Sequence, residues 1–339
     1  MEIYGKLDER QKACCMKIQE VLKRKGEKVI APTGMEKKQF LDSVEAVQYN
    51  FPELFYVDFR TISYTECSDH YEYNPQYLYT FSEIAKLNDQ ITRKADEIIK
   101  KLNISDKVSV YDKCGRLHNY MVSSCTYDYD AKDNSDKIWS AYTIEGFFLK
   151  KKAVCQGIAF AFKFLCDKAG VDTIVARGVS LQPGCTTYER HAWNIVRAGG
   201  EAAHIDITWD MCLKGDKGKI RYDYFFLPDL EMMRDHQYVG HPICRQLRRS
   251  YFEKTGTQFS DVDMLREYIE SNIVKYENDI DYDSGLYLHF KMKNRKETKD
   301  EIQEFVNQTI RKATKKGYSY TVSVNEAQSV FCYNIDIAK

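Results

Sequence analysis

The segment from Tyr188 to Thr208, YERHAWNIVRAGGEAAHIDIT, constrains the fold of this chain more than any other. Apolar and polar residues alternate on both sides of Gly199-Gly200, the pattern of two strands joined by a tight reversal, so an antiparallel β-hairpin is predicted. The expected strands run from Tyr188 to Val196 and from Glu201 to Thr208. Closing them with the loop Arg197-Ala198-Gly199-Gly200 sets Val196 opposite Glu201, which places His191 opposite Asp206 and Trp193 opposite His204. Directly opposed side chains have Cβ atoms roughly 4.5–5.5 Å apart, close enough for a carboxylate to accept an imidazole N–H. By itself the hairpin fits a structural His–Asp hydrogen bond as well as a catalytic pair that lacks its nucleophile.

The candidate nucleophile comes earlier, in AVCQGIAFAFKFLCDKAGV. Ile158, Phe162 and Leu165 recur at helical spacing, and Gly170 stands where a glycine ends a helix. Cys155 opens this helix. A thiol in the first turn feels the positive end of the macrodipole and unpaired backbone N–H groups, which lower its pKa and can also stabilise an oxyanion. Gly157 keeps the first turn small enough for a substrate backbone to approach the sulfur. Cys166, further along the helix, reads as a small buried hydrophobe.

Around this middle section the chain divides into three expected parts: an N-terminal α+β section (1–104), a core (105–245) and a small C-terminal α/β module (246–339). The first holds amphipathic helical patterns over Leu7 to Lys25 and Met35 to Tyr49, then LFYVDFRTISYTE and HYEYNPQYLYTF, which read as paired strands. Helical patterns follow over Phe81 to Leu102, Lys107 to Ser123 and Lys137 to Leu149, and a strand over Asp172 to Ser180. The tail, from about Leu247, reads as helix (Asp261 to Tyr276), strand (LYLHFKM), helix (Lys299 to Lys316) and two strands around NEAQ, a ferredoxin-like possibility.

Composition removes several classes of function. Fifty Lys plus Arg balance fifty Asp plus Glu, and basic runs such as Lys150 to Lys152 and Lys315 to Lys316 are short, so neither a nucleic acid nor an anionic membrane is expected as partner. The most apolar stretch, GIAFAFKFLC, contains Lys163 and is too short to span a bilayer, and the N-terminus lacks the apolar run of a secretory signal. Eleven cysteines without a Cys-x-x-Cys pair favour free thiols in a reducing compartment, hence a cytoplasmic location. A metal site built from Cys155, His191, His204 and Asp206 is disfavoured, because no short-spaced Cys or His pair supports it; no cofactor is expected.

The order Cys, His, Asp in AVCQGIAFAF, ERHAWNIV and AHIDITWD resembles the transglutaminase-like superfamily, as does the upstream LHNYMVSSCTYD, a lead-in similar to that of bacterial members. The resemblance covers roughly Val108 to His236. It implies an α+β fold with a transglutaminase-like (papain-like) core, a Cys-bearing helix packed on an antiparallel sheet. It further implies a triad of Cys155 as nucleophile, His191 as general base and acid, and Asp206 as orienter, acting on protein or peptide amides through a thioester that passes to an amine (crosslinking) or to water (deamidation or proteolysis). Two residues depart from the pattern: Ile158 stands where an aromatic is common, and Asn119 where Asp is expected after His118. Both bear on substrate fit more than on chemistry. Gln156, Gly157 and Trp193 are candidates for contact with substrate, Trp193 also packing beneath the imidazole. Trp139 and Tyr142 lie where a second oxyanion donor could stand, while His118 and His204 read as buried polar contacts. The competing reading is an inactive copy of the same fold that binds peptides or proteins.

Overall fold

The computed structural model describes residues 7–134, 138–182, 185–213, 219–238, 240, 242–245, 250–278, 285–293, 297–314 and 316–338. The chain begins with α1 (Glu9–Lys23), β1 (Val29–Ile30), α2 (Lys37–Asn50), β2 (Tyr64–Glu66), β3 (Tyr71–Tyr73) and α3 (Phe81–Lys101). Then come α4 (Val110–Ser124), β4 (Thr126–Tyr127), α5 (Tyr129–Asp133), β5 (Lys152–Ala153) and α6 (Cys155–Lys168). The central sheet is built from β6 (Thr173–Ser180), β7 (Glu189–Ala198), β8 (Glu201–Ile205), β9 (Phe225–Leu227) and β10 (His236–Gln237), with α7 (Ile207–Cys212) and α8 (Asp229–Met232) between its later strands. The tail holds α9 (Tyr251–Thr255), β11 (Gln258–Phe259), α10 (Val262–Asn278), β12 (Leu286–Met292), α11 (Lys299–Ala313), β13 (Tyr318–Asn325) and β14 (Val330–Ile337).

Local chemistry explains the long helices. Thr80 and Glu83 form a reciprocal capping box at the start of α3, and Ile84, Ile91, Ala95 and Ile98 bury one face of it. The α6 helix is more unusual: Gly157 to Phe162, Leu165 and Cys166 are all buried, so it is enclosed rather than amphipathic. It packs on β6 and β7 and also touches α3, α4 and α7. Gly170, at φ +68°, takes the left-handed conformation just beyond its end.

The central sheet runs β10-β6-β7-β8-β9, every pair antiparallel. Ala192, Val196, Ala198, Ala203 and Ile205 join the apolar cluster that contains α6. Ile174, Ala176, Trp193, Ile195 and Ala202 form a second cluster with Trp209, Tyr224 and Met232. Both faces are therefore covered, and the polar residues that alternate into them, Asn194 and His204, are buried with hydrogen-bond partners.

Four expectations ahead of the tail need correction. Ala198 pairs with Glu201, so the hairpin closes through Gly199-Gly200 alone, both at positive φ, instead of through four residues. That turn suits the right-handed twist of the strands, and it moves every β8 partner by two positions. Second, β8 ends at Ile205 and not at Thr208, because Asp206 caps α7. Third, the helix expected over Lys137 to Leu149 is a 3₁₀ turn at Trp139–Tyr142 and a wide turn at Gly146–Lys150, Lys137 itself lying outside the described residues. A Cβ on Gly146 would meet Lys152 O at 2.8 Å and Ala141 Cα at 2.9 Å, a fold-back too tight for a continuous helix. Fourth, the aromatic segments of the N-terminal section pair only over Tyr64–Glu66 and Tyr71–Tyr73, apart from a bridge between Val57 and Tyr77.

The apolar cluster around α6 runs from Leu7 to Phe226, across position 104, whereas residues 259 to 337 enclose an apolar cluster of their own. In this tail the sheet order is β11-β12-β14-β13 with β11 parallel to β12, and the chain order βαβαββ differs from the ferredoxin-like βαββαβ. The expected start of the tail near Leu247 lies outside the described residues. No helix among the described residues is long and apolar enough to cross a membrane.

Candidate active site

Cys155 is the first residue of α6, and its N-cap, Val154, offers no side chain to the first-turn N–H groups. The first turn of the helix thus receives no side-chain cap, the end at which a helix leaves its N–H groups without intrahelical partners. Cys155 is half-buried and lines a cleft of about 450 Å³ with His191, Tyr127, Tyr129, Tyr142 and Trp209. Lys132, ion-paired to Glu189 at 2.7 Å, stands on the same wall.

His191 Nε2 lies 2.6 Å from Asp206 Oδ2, which leaves Nδ1 for the thiol. Asp206 is fully buried and held three ways: Oδ1 accepts from Trp209 N at 3.1 Å as an N-cap, while Oδ2 faces both His191 and His236, the latter at 3.2 Å. Burial would push the Cys155 thiol up, but hydrogen bonding and charge from His191, with the Ala192 backbone N–H, bring it below its ordinary value. Burial likewise opposes the His191 imidazolium, yet the Asp206 charge and hydrogen bond, then Cys155, raise its pKa to about 10. Against its own desolvation, Asp206 is held well below the usual carboxylate range by His191 first and His236 second. The three residues thus form a chain in which the Cys155 thiol faces His191 and His191 faces the Asp206 carboxylate.

The other candidates separate. Trp193 stacks on His191, ring centroids 5.8 Å apart and planes 18° from parallel, but at 1% exposure it has no surface for substrate. Gln156 turns out of the cleft: Nε2 donates to Tyr142 O at 3.1 Å, and the side chain borders a small cavity with Phe51, Phe55 and Phe160. Gly157 is required by the protein's own chain, since a Cβ there would stand 2.2 Å from Ala141 O and 2.9 Å from Thr143 O. These geometries correct the substrate-facing expectation for all three. Tyr142 does line the cleft, whereas Trp139 borders the small cavity.

His118 is fully buried against Asp210 at 2.9 Å, a structural contact as expected. His204 takes the Trp193 indole N–H on Nδ1 at 3.0 Å and turns Nε2 to Asp229 and Tyr238, so it does not converge with Cys155. Three groups of His, Cys, Asp or Glu bring their donor atoms within 4.8 Å of one another among the described residues: Cys67-His70-Glu72, His191-Asp206-His236 and His204-Asp229-Cys244. In the second, Asp206 Oδ2 already accepts from the imidazoles, and in the first the Lys28 ammonium sits 2.6 Å from Glu72. Nothing in the sequence pattern marks His236 as part of the site. The only local signal is its adjacency to Asp235, a common pairing of no specificity.

Residues 95–207 match the family described as the transglutaminase-like superfamily. Over 218 residues the chain is 23% identical to kyphoscoliosis peptidase of Mus musculus, a match covering 57% of this chain and 33% of that protein. The chain therefore spans about a third of the length of this curated relative. Among solved structures, a TGase shares 13% identity at a TM-score of 0.31, covering 53% of this chain and 50% of that one. A candidate cysteine protease from Cytophaga hutchinsonii shares 14% identity at a TM-score of 0.27, covering 44% and 61%.

Proposed function

We propose, from the transglutaminase-like domain that residues 95–207 carry, that this chain performs cysteine-based acyl transfer on protein or peptide amides. The observation that carries the reading is the Cys155 thiol, lowered by His191 and open to a cleft of about 450 Å³. The thiolate attacks the amide carbonyl carbon, and first-turn N–H groups of α6 are suited to receive the developing oxyanion. His191 Nδ1–H protonates the departing amine, leaving a thioester on Cys155. His191 then takes a proton from an incoming amine or water, which attacks the thioester and frees the thiol. Asp206 keeps the imidazole in the tautomer and orientation that serve both steps.

Within this reading the catalytic unit lies in residues 105–245, and the 1–104 and 246–339 sections frame it. The aromatic wall of Tyr127, Tyr129, Tyr142 and Trp209 suits an extended segment with an apolar side chain beside the reacting amide. All the cysteines are free, which suits a reducing compartment.

The test is iodoacetamide labelling of the full chain across pH with peptide mapping, alongside ammonia release from glutamine-containing peptides with and without a primary amine. Selective labelling of Cys155 near neutral pH, with ammonia release abolished by Cys155→Ser, is the expected result. A Cys155 no more reactive than Cys166 would leave the inactive, peptide-binding copy of the fold as the better reading.

A further inference from the structure

The polar chain does not stop at Asp206. His236, fully buried on β10, directs Nε2 to Asp206 Oδ2 at 3.2 Å and Nδ1 to Asp235 Oδ1 at 2.6 Å. The other oxygen of Asp235 accepts from the Tyr224 hydroxyl at 2.6 Å and from Gln328 Nε2 at 3.1 Å. Asn325 Nδ2 donates to that same Tyr224 hydroxyl, again at 3.1 Å. Asn325 ends β13 and Gln328 lies in the turn before β14. An unbroken run of hydrogen bonds therefore joins the C-terminal module to the His191–Asp206 pair.

Three features make this run rigid. With Oδ1 given to Trp209 N and Oδ2 shared by two imidazoles, the Asp206 carboxylate has no free direction of rotation. Trp209, Trp193 and Tyr224 enclose the His236 ring at centroid distances of 4.8, 5.1 and 5.5 Å. The strand that carries His236 can approach β6 only because Gly178 lacks a Cβ, which would otherwise stand 2.1 Å from Gln237 O. The titratable groups facing His236 are Asp206, Asp235, His191 and Tyr224; from the module Gln328 is neutral, and the buried Lys291–Glu231 pair at 2.6 Å lies along the same interface.

We propose that His236 is a positioning residue for the Cys155–His191 pair, and that the C-terminal module, through Gln328 and Asn325, holds it in place, so that docking of the module sets the reactivity of Cys155. The inference rests on the acyl-transfer reading. A carboxylate held only by His191 and, on its other oxygen, by the Trp209 N–H can still tilt out of the imidazole plane. A second donor on the oxygen that faces His191, anchored from behind, keeps it in that plane and keeps Nδ1–H aimed at the sulfur.

The experiment measures iodoacetamide labelling of Cys155 against pH, with thermal unfolding in parallel, for the full chain and for His236→Phe, His236→Gln and Gln328→Met. Loss of a hydrogen bond to a charged group predicts about a tenfold slower labelling of His236→Phe at pH 6.5, with its pH profile moved to higher pH. The glutamine variant, which can still offer an N–H to Asp206, should recover most of the rate. Gln328→Met should slow labelling about threefold, the scale of one neutral hydrogen bond, without touching the triad. A merely structural role lowers the unfolding temperature and leaves the pH profile alone. If parental Cys155 is activated but both His236→Phe and Gln328→Met keep the parental profile, the positioning role is overturned and the acyl-transfer reading stands. Should His236→Phe fail to fold, Gln328→Met decides alone. A parent whose Cys155 is no more reactive than Cys166 overturns both.

Discussion

Asp206 Oδ2 stands 2.6 Å from His191 Nε2, and it arrives there from the cap of a helix, not from a strand. One residue thereby serves two ends: Oδ1 secures the first turn of α7 through Trp209 N, and Oδ2 secures the imidazole. Asparagine can replace the first role, because it is as good an N-cap as aspartate. It cannot replace the second without turning the ring, since its NH₂ would meet the N–H at Nε2. Asp206→Asn should therefore keep circular dichroism and unfolding temperature near the parental values while lowering turnover on the order of 10³- to 10⁴-fold, the scale seen when a serine triad loses its orienting carboxylate. A parallel loss of fold and activity would show that the cap dominates.

The pH response has a definite sign. The Cys155 thiol lies below its ordinary value, while burial pushes Cys14 and Cys125 up to about 11. Alkylation of Cys155 should then begin at a pH where those two are still thiols. Turnover should rise as the Cys155 thiolate forms and fall as pH passes through about 10, where His191 loses the proton it must give to the leaving amine. His191→Ala should move the onset of alkylation upward, towards the ordinary thiol range of about 8.5. Rate measurements at half-unit intervals of pH, with the modified peptide identified by mass, would expose the opposite ordering.

Faces were legible in the sequence where registers were not. A strand alternates with period two, so the pattern places Trp193 and His191 on one face, and they do stack. Partners depended on the turn, and Gly199-Gly200 chose the two-residue form over the four-residue one. The slip was even, which left every side chain on its expected face and put Asp206 within reach of His191 diagonally, helped by the chain's departure into α7. Cys155 at a helix start was readable because Gly170 and the apolar repeat bound the helix. The roles of Gly157 and His236 were not readable: each depends on a segment brought close by the fold, Ala141–Thr143 for one and Asp206 for the other, and residue type alone does not announce such contacts.

Gly157→Ala tests the first of these. The added methyl would stand 2.2 Å from Ala141 O and 2.9 Å from Thr143 O, both backbone atoms, so the turn or the helix must move. Overpacking of this kind costs about 1–3 kcal/mol, which urea unfolding would measure. Because the displaced element carries Cys155, selective alkylation should fall as well. A variant with parental stability would mean that the 141–143 turn yields freely.

The interface behind the site carries a second buried charge system, and its energetics can be separated by a double substitution. Arg221 and Asp223, both fully buried, meet at 2.6 Å; Asp223 also faces His289 Nε2 at 3.3 Å and accepts from Asn325 at 3.1 Å. Despite burial, Arg221 first and His289 next hold the Asp223 carboxyl below the usual range. Removing Arg221 alone leaves that carboxylate without its principal counter-charge, so Arg221→Met should destabilise the chain by about 3–5 kcal/mol in urea unfolding. Replacing both partners, Arg221→Met with Asp223→Leu, removes the charge along with its partner and should recover most of the loss. Asn325 touches both Asp223 and Tyr224, so Arg221→Met should also slow Cys155 alkylation, through the same contact that leads to His236. A double variant as unstable as the single one would mean that the loss comes from Arg221's contact with Ser323 of the module, at 3.0 Å, and not from the stranded carboxylate.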